Sequence, residues 1–190
     1  MTQKRVKLPL SQADIMDLQA GDTVLLSGPL LTGRDAAHKR LIAALMAGEA
    51  LPVDLKGETI YYVGPCPTPP GRVIGSAGPT TSGRMDSYTP RLLDLGLKGM
   101  IGKGERSADV VAAMVRNKAV YFAALGGAGA LIARSIKKAD IIAYPDLGPE
   151  AIHRMVTEDF PVIVAIDAVG NDLYQTGRVA YAHIETGHSS

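Results

Sequence analysis

The chain has 190 residues, of which 46% are apolar and 21% charged, and its formal net charge is +1. This size and composition predict one globular domain over residues 1–190. The near-neutral charge gives no electrostatic basis for binding nucleic acid or an anionic membrane surface, and no apolar run is long enough to span a bilayer. A single cysteine, Cys66, excludes an internal disulfide. Together with an N-terminus that lacks the apolar core of a secretion signal, it predicts a cytoplasmic location.

Strand-like and helix-like apolar patterns alternate along the chain. Strands are predicted at "DTVLLSG" (22–28), "TIYYVG" (59–64), "RVIGSAG" (72–78), "KGMIGKG" (98–104) and "AVYFAAL" (119–125). Helices are predicted at "RDAAHKRLIAALMAG" (34–48), "SYTPRLLDLG" (87–96), "SADVVAAMVRN" (107–117) and "GGAGALIARSIKKA" (126–139). "DIIAYPD" (140–146), a short helix near "GPEAIHRMV" (148–156) and "FPVIVAIDAVG" (160–170) follow, and the tail "HIETGHSS" (183–190) looks frayed. The alternation predicts an α/β fold with a parallel or mixed sheet.

Three strand-to-turn junctions share glycines combined with a cation or with hydroxyls. They are "SGPLLTGRDAAHKR" with Arg34, "GPTTSGRMD" with Thr80, Thr81, Ser82 and Arg84, and "GKGERS" with Lys103. Helix N-termini and arginine side chains bind anions, and ligands of α/β sheets gather at the carboxyl ends of the strands. The three junctions together therefore indicate one anion site, whereas Arg34 or Lys103 taken alone reads as a solvated surface charge.

Other candidate residues have an ordinary structural interpretation beside the functional one. "ALGGAGALIARS" resembles a dinucleotide fingerprint but lacks its third glycine, so close strand–helix packing is favoured over a cofactor. His38 is either a base or a helix residue hydrogen-bonded near Asp35. The remaining histidines, among them His153, have no metal-ligand spacing, so no metal site is predicted. Cys66 is favoured as a small apolar filler rather than a nucleophile.

With "SGRDAAH", "GPTTSGRMD" and "GKG" in view, the chain resembles the β-type subunit, or C-terminal domain, of class I iron–sulfur fumarases and L-tartrate dehydratases. The resemblance runs from about Leu8 to Ile184, and "GPTTSGRMD" is its most specific part. It implies a swivelling β/β/α domain, with a mixed sheet flanked by helices. It also implies a [4Fe-4S] cluster that is held by a separate α subunit supplying three cysteines, with none bound by this chain alone.

The activity implied by the resemblance is reversible hydration of fumarate to (S)-malate, or dehydration of tartrate to oxaloacetate, with fumarate preferred. The implied roles are substrate carboxylate binding by Arg34 and Arg84, completion of the cationic pocket by Lys103, and proton abstraction by Thr80. Thr81 and Ser82 stay open as alternative hydroxyls, and His38 as an accessory residue. The iron would bind the substrate hydroxyl and a carboxylate. Two other classes stay open: a non-catalytic anion-binding regulatory module, and a nucleotide-dependent enzyme using "GGAGA".

Overall fold

The computed structural model describes residues 3–124 and 128–177. Its seven strands are β1 (Gln3–Lys7), β2 (Thr23–Thr32), β3 (Thr59–Tyr61), β4 (Gly99–Gly102), β5 (Val120–Ala123), β6 (Ile136–Ala143) and β7 (Ile152–Ile166). They form one sheet in the order β1-β2-β3-β4-β5-β7-β6, and β7 also pairs with β2. This second pairing closes β2, β3, β4, β5 and β7 into a five-strand mixed barrel. The predicted α/β class is confirmed, and the closure of the sheet is a feature that the sequence did not predict.

The helices are α1 (Gln12–Asp17), α2 (Asp35–Met46), α3 (Thr89–Asp94), α4 (Ala108–Asn117) and α5 (Gly129–Ser135), with 3₁₀ turns at Ser82–Met85 and Pro145–Glu150. Successive residues of a strand face opposite sides of the sheet, so each barrel strand contributes to two cores. Tyr61 and Ile101 lie in the inner core, whereas Ile60 and Met100 face the outer core together with residues of α2, α3 and α4. These three helices therefore pack on the outside of the barrel.

The strands β2, β3, β4 and β5 run parallel, so their carboxyl ends meet at one edge of the barrel. Hydrogen bonds continue past the strand ends there, from Gly33 N to Tyr61 O at 3.1 Å and from Tyr62 N to Ile101 O at 2.8 Å. The turn after β2 leads directly into α2, β3 continues into the loop 62–81, and β4 ends one residue before Lys103. All three motifs singled out in the sequence consequently lie at this edge.

The predicted strand at 72–78 is wrong, because these residues form an irregular loop. Cys66 N donates a hydrogen bond to Ser76 O at 2.9 Å, and Gly75 lies against the backbone of Cys66 so closely that a side chain would not fit. The loop thus folds back on itself instead of joining the sheet. Its apolar residues Ile74 and Ala77 are still buried in the inner core, which explains why an apolar run was mistaken for a strand.

Two helix predictions in the second half of the chain also need correction. The helix predicted at 126–139 is α5, which ends at Ser135, and the chain then enters β6, which pairs antiparallel with β7. The short helix near 148–156 is replaced by a 3₁₀ turn and by the start of β7, whose pairing with β2 and β6 overrides the local pattern. The strand β1 and the helix α1 were not predicted. Residues 125–127, with part of the "GGAGA" motif, and the tail 183–190 lie outside the described residues.

Within the described ranges, no helix combines the length and the apolar composition needed to cross a bilayer.

Candidate functional site

Arg34 directly precedes α2, and its guanidinium lies between two acidic side chains. Its Nη2 is 3.3 Å from Glu150 Oε1, and its Nε is 3.7 Å from Asp35 Oδ2. Glu150 Oε2 also accepts a hydrogen bond from Ala36 N at 2.8 Å, which satisfies one of the open amides in the first turn of α2. Gly64 makes room for the arginine, since a Cβ there would lie 2.9 Å from Arg34 Nη1. Arg34 is thus held at the carboxyl edge, with a buried Nε that has no hydrogen-bond partner among the described residues.

Arg84 lies in the 3₁₀ turn that follows Thr81, and its guanidinium binds the same aspartate. The Nε of Arg84 donates to Asp35 Oδ1 at 2.9 Å, and its Nη2 donates to Asp35 Oδ2 at 2.8 Å. The side chain of Arg84 is 51% exposed and that of Asp35 is 33% exposed, so solvent reaches the pair. Two arginines from separate turns therefore converge on one carboxylate.

Thr80, Thr81 and Lys103 are brought together by backbone pairing. Thr80 N donates to Tyr62 O at 2.7 Å, and Lys103 N donates to Thr80 O at 3.3 Å. Thr81 forms a parallel bridge with Lys103, so the "GPTTSG" loop extends the sheet beside the end of β4. Thr80 is half-buried, and Thr81 and Lys103 are exposed. In the described part of the chain, the hydroxyls of Thr80 and Thr81 and the ammonium group of Lys103 have no side-chain hydrogen bond or ion pair.

The two other predicted residues, Ser82 and His38, are fully buried behind the edge. Ser82 Oγ is hydrogen-bonded to Tyr121 Oη at 2.9 Å. His38 Nδ1 is 2.8 Å from the Arg34 carbonyl oxygen, and its ring packs edge-on against Tyr62 with the centroids 5.4 Å apart. Burial lowers the pKa of His38 to about 4, although its hydrogen bond to the Arg34 carbonyl acts in the opposite direction. His38 is therefore placed to hold the backbone of Arg34, and Ser82 to hold the loop.

Sequence reasoning missed a buried arginine directly behind this loop. Arg106 Nε donates to Asp86 Oδ1 at 2.7 Å, and its Nη2 donates to Thr89 Oγ1 at 2.8 Å. The guanidinium carbon also lies 5.3 Å from the ring centroid of Tyr62 and 5.0 Å from that of Tyr121. Burial acts to lower the pKa of Arg106, but its partners, chiefly Tyr62 and Asp86, leave it above its ordinary value. The sequence did offer a signal for this pair, because "GRMD" ends in the acidic Asp86 and "GKGER" ends in the basic Arg106.

Of the candidate residues, Arg84, Thr81 and Lys103 are exposed at the carboxyl edge of the barrel. Three hollows of about 450, 410 and 290 Å³ lie elsewhere: beside α1, beside the end of α2, and between residues 71–74 and β6. None of these three hollows is lined by Arg34, Arg84, Thr80 or Lys103. Among the described residues, no group of three or more His, Cys, Asp and Glu side chains could hold a metal ion.

The chain is a mixed α/β domain whose closed barrel carries cations and hydroxyls at the carboxyl edge of its parallel strands. The profile of the family described as "Fumarase C-terminus" matches residues 1–177, and the chain belongs to this family. The resemblance to class I fumarate hydratases and tartrate dehydratase β subunits is thereby confirmed.

Three relatives illustrate how much of each protein the chain covers. It is 43% identical over 152 residues to the aerobic class I fumarate hydratase of Salmonella typhimurium, covering 79% of this chain and 26% of that protein. It is 40% identical over 172 residues to fumarate hydratase 2 of Leishmania major, covering 90% of this chain and 29% of that protein. It is 37% identical over 172 residues to a candidate L(+)-tartrate dehydratase subunit beta of Methanocaldococcus jannaschii, covering 87% of this chain and 88% of that protein. The chain thus spans little more than a quarter of the fumarate hydratases but most of the β subunit.

Proposed function

We propose that this chain is the β subunit of a two-chain iron–sulfur hydro-lyase that reversibly hydrates fumarate to (S)-malate. The observation that carries the proposal is the convergence of Arg34 and Arg84 on one carboxylate at the same edge as Thr80 and Lys103. A separate α subunit is supported by the Methanocaldococcus jannaschii relative, whose name describes a subunit and most of whose length this chain covers. We also propose that the domain is of the swivelling β/β/α type and that the protein is cytoplasmic.

The [4Fe-4S] cluster is assigned to the α subunit and its three cysteines. The residues of this chain do not fit such a cluster, because Cys66 is its single cysteine and lies exposed, and the described residues contain no other suitable group of ligands. In the complex the cluster would supply a Lewis acid. The part left to this chain is to bind the substrate carboxylates and to move a proton.

The cations at the edge match the charge of a dicarboxylate. Fumarate is a dianion, and removal of a proton beside a carboxylate of malate adds negative charge in the transition state. Arginine binds a carboxylate through two parallel N–H groups, which is how Arg84 already binds Asp35. Arg34 and Arg84 would bind the substrate carboxylates, and Lys103 would stabilise the negative charge that develops in the transition state.

Thr80 is the residue that we assign to the proton. Its backbone is fixed on both sides, by Tyr62 O and by Lys103 N, so its hydroxyl is held at a defined position on the edge. A threonine hydroxyl is a weak base in water and becomes effective only where neighbouring cations stabilise its deprotonated form. Thr81 is the alternative, because its side chain is exposed at the same edge. Ser82 is assigned to the loop structure, since its hydroxyl is buried against Tyr121.

A second candidate function is dehydration of L-tartrate to oxaloacetate. It is favoured by the near full-length match to the tartrate dehydratase subunit beta relative, whereas the fumarate hydratases are matched over part of their length. Tartrate and malate share two carboxylates and a hydroxyl, so the same edge would bind either. Rates of the assembled complex with fumarate and with L-tartrate would decide between them.

The experiment that tests the proposal measures kcat of fumarate hydration by the anaerobic complex with the cluster-bearing partner. We expect Thr80→Val to lower kcat by a factor of about 10²–10⁴, the usual loss for a positioned base. Thr81→Val and Ser82→Ala should keep most of the kcat of the unmodified complex. Melting curves would show that each variant is folded. A loss confined to Thr81→Val would move the base to that residue. Full activity in all three variants, or a complex that acts on neither fumarate nor tartrate, would contradict the proposal.

A further inference from the structure

The carboxylate-binding face of Arg84 is already occupied by a carboxylate of the same chain. Both oxygens of Asp35 accept hydrogen bonds from Arg84, and Oδ2 also lies 3.7 Å from Arg34 Nε. Two parallel N–H groups bound to two oxygens is the arrangement that arginine forms with any carboxylate, a substrate included. We propose that Asp35 is a positioning residue whose carboxylate occupies the place of a substrate carboxylate between Arg84 and Arg34 and leaves when substrate binds. This inference rests on the proposed function, because it takes the two arginines as the substrate-binding pair.

The Asp35 carboxylate is held by the two arginines. Among the described residues, its hydrogen bonds and ion pairs all go to Arg34 and Arg84, and no backbone amide donates to it. The side chain is one-third exposed, so it can turn into solvent without leaving a buried charge unpaired. Asp35 also lies in the first turn of α2, where the helix dipole favours a carboxylate in either orientation.

Glu150, the second acidic neighbour of Arg34, is held differently. Its Oε2 accepts a hydrogen bond from Ala36 N at 2.8 Å, while its Oε1 faces Arg34 Nη2 at 3.3 Å. Displacement of Glu150 would leave an amide of the first turn of α2 without its partner, which is unfavourable where water has little access. Glu150 therefore keeps Arg34 in place, and Asp35 is the exchangeable carboxylate of the two.

The chain contains a matched control for this contact on the same helix. Arg40 of α2 donates from Nη1 and Nη2 to the two oxygens of Asp146, both at 2.8 Å. This pair is also two-pronged, although it uses Nη1 and Nη2 where Arg84 uses Nε and Nη2. Arg40 is not one of the candidate site residues. Asp146→Asn and Asp35→Asn each remove one negative charge, so a general effect of charge on anion binding would be seen in both variants.

The test is titration of the 190-residue chain with succinate, an unreactive dicarboxylate, followed by backbone amide NMR at fixed ionic strength. Loss of the competing carboxylate should make Asp35→Asn bind succinate about fivefold more tightly than the unmodified chain, the scale of an exposed ion pair. Asp35→Glu keeps the competing charge, so its affinity for succinate should stay within about twofold of that of the unmodified chain, and the same is expected of Asp146→Asn. Arg84→Lys in the Asp35→Asn background should remove the gain, because lysine cannot form the two-pronged contact.

Several results would overturn the inference. Weaker binding by Asp35→Asn would mean that Asp35 only orders Arg84. An unchanged affinity would place substrate on the Nη1 side of the guanidinium with Asp35 left in position. An equal gain in Asp146→Asn, a gain that survives Arg84→Lys, or no saturable binding by Asp35→Asn would also overturn it. The outcomes for the inference and for the proposed function can be told apart. If Thr80→Val abolishes hydration in the complex but Asp35→Asn gives one of the contradicting results above, the proposed function stands and the inference falls. If the complex has no hydro-lyase activity, the proposed function itself falls.

Discussion

Two arginine–aspartate pairs each include one residue of the "GPTTSGRMD" loop, and they differ in burial. They also differ in geometry, because Arg84 binds both oxygens of Asp35 and Arg106 binds one oxygen of Asp86. Arg84 contacts Asp35 at 2.8 Å with side chains that are 51% and 33% exposed. Arg106 contacts Asp86 at 2.7 Å, but its side chain is 0% exposed and that of Asp86 is 16% exposed. Under the proposed function, the solvent-exposed arginine binds a ligand, whereas the buried pair holds the loop in place.

The difference in burial changes what each pair contributes to stability. An exposed ion pair contributes about 0–1 kcal/mol, so the Arg84–Asp35 pair is not needed for folding. A buried ion pair is tolerated only when all its polar groups find partners, and removal of one member leaves the other charge uncompensated. Arg106 meets this requirement through Asp86, Thr89 and the rings of Tyr62 and Tyr121.

The largest expected effect is the loss of stability when the buried Arg106–Asp86 pair is removed, and it would sharpen the comparison of the two pairs. Arg106→Met should lower the free energy of unfolding by about 3–5 kcal/mol, because Asp86 loses its main charged partner in a largely buried setting. Arg84→Met should lower it by less than about 1 kcal/mol. Urea unfolding followed by circular dichroism measures both. Equal losses in the two variants would show that the pairs do not differ in the way burial indicates.

A smaller effect is expected from pH, through the buried histidine that holds the Arg34 backbone. The pKa of His38 is lowered from 6.5 to about 4 in the folded chain, so the unfolded chain takes up the proton first as the pH falls. Stability should therefore be complete above about pH 6.5 and fall by about 3 kcal/mol as the pH drops towards about 4. Of the charged groups that act on its pKa, Arg106 lowers the pKa and Asp35 raises it, and Tyr62 and Tyr88 pack against its ring.

Urea unfolding at about pH 7 and about pH 5 measures this effect, with His38→Gln as the control. Glutamine keeps polar atoms at the position but does not titrate, so the variant should lose stability less steeply with falling pH. If the free energy of unfolding changed equally with pH in the unmodified chain and in His38→Gln, the acid sensitivity would belong to other groups.

The parts of the site that could be predicted are those specified by local sequence. Arg34 and Lys103 follow strands that the apolar pattern predicts, and parallel strands bring their ends to one edge. The closure of the barrel could not be predicted, because β2 pairs with β7 across most of the chain. Burial of Ser82 likewise depends on Tyr121, 39 residues away in β5, and nothing in the local pattern indicates that contact.

The central claim is that Arg34 and Arg84 bind a dicarboxylate, and calorimetric titration of the chain with fumarate tests it most directly. Lysine keeps the charge of arginine but not its planar pair of donors, so Arg84→Lys should bind fumarate at least about tenfold more weakly with an unchanged free energy of unfolding. Arg40→Lys, which alters the matched pair with Asp146, should bind within about twofold of the unmodified chain. Equal affinity of Arg84→Lys and the unmodified chain for fumarate would contradict the account.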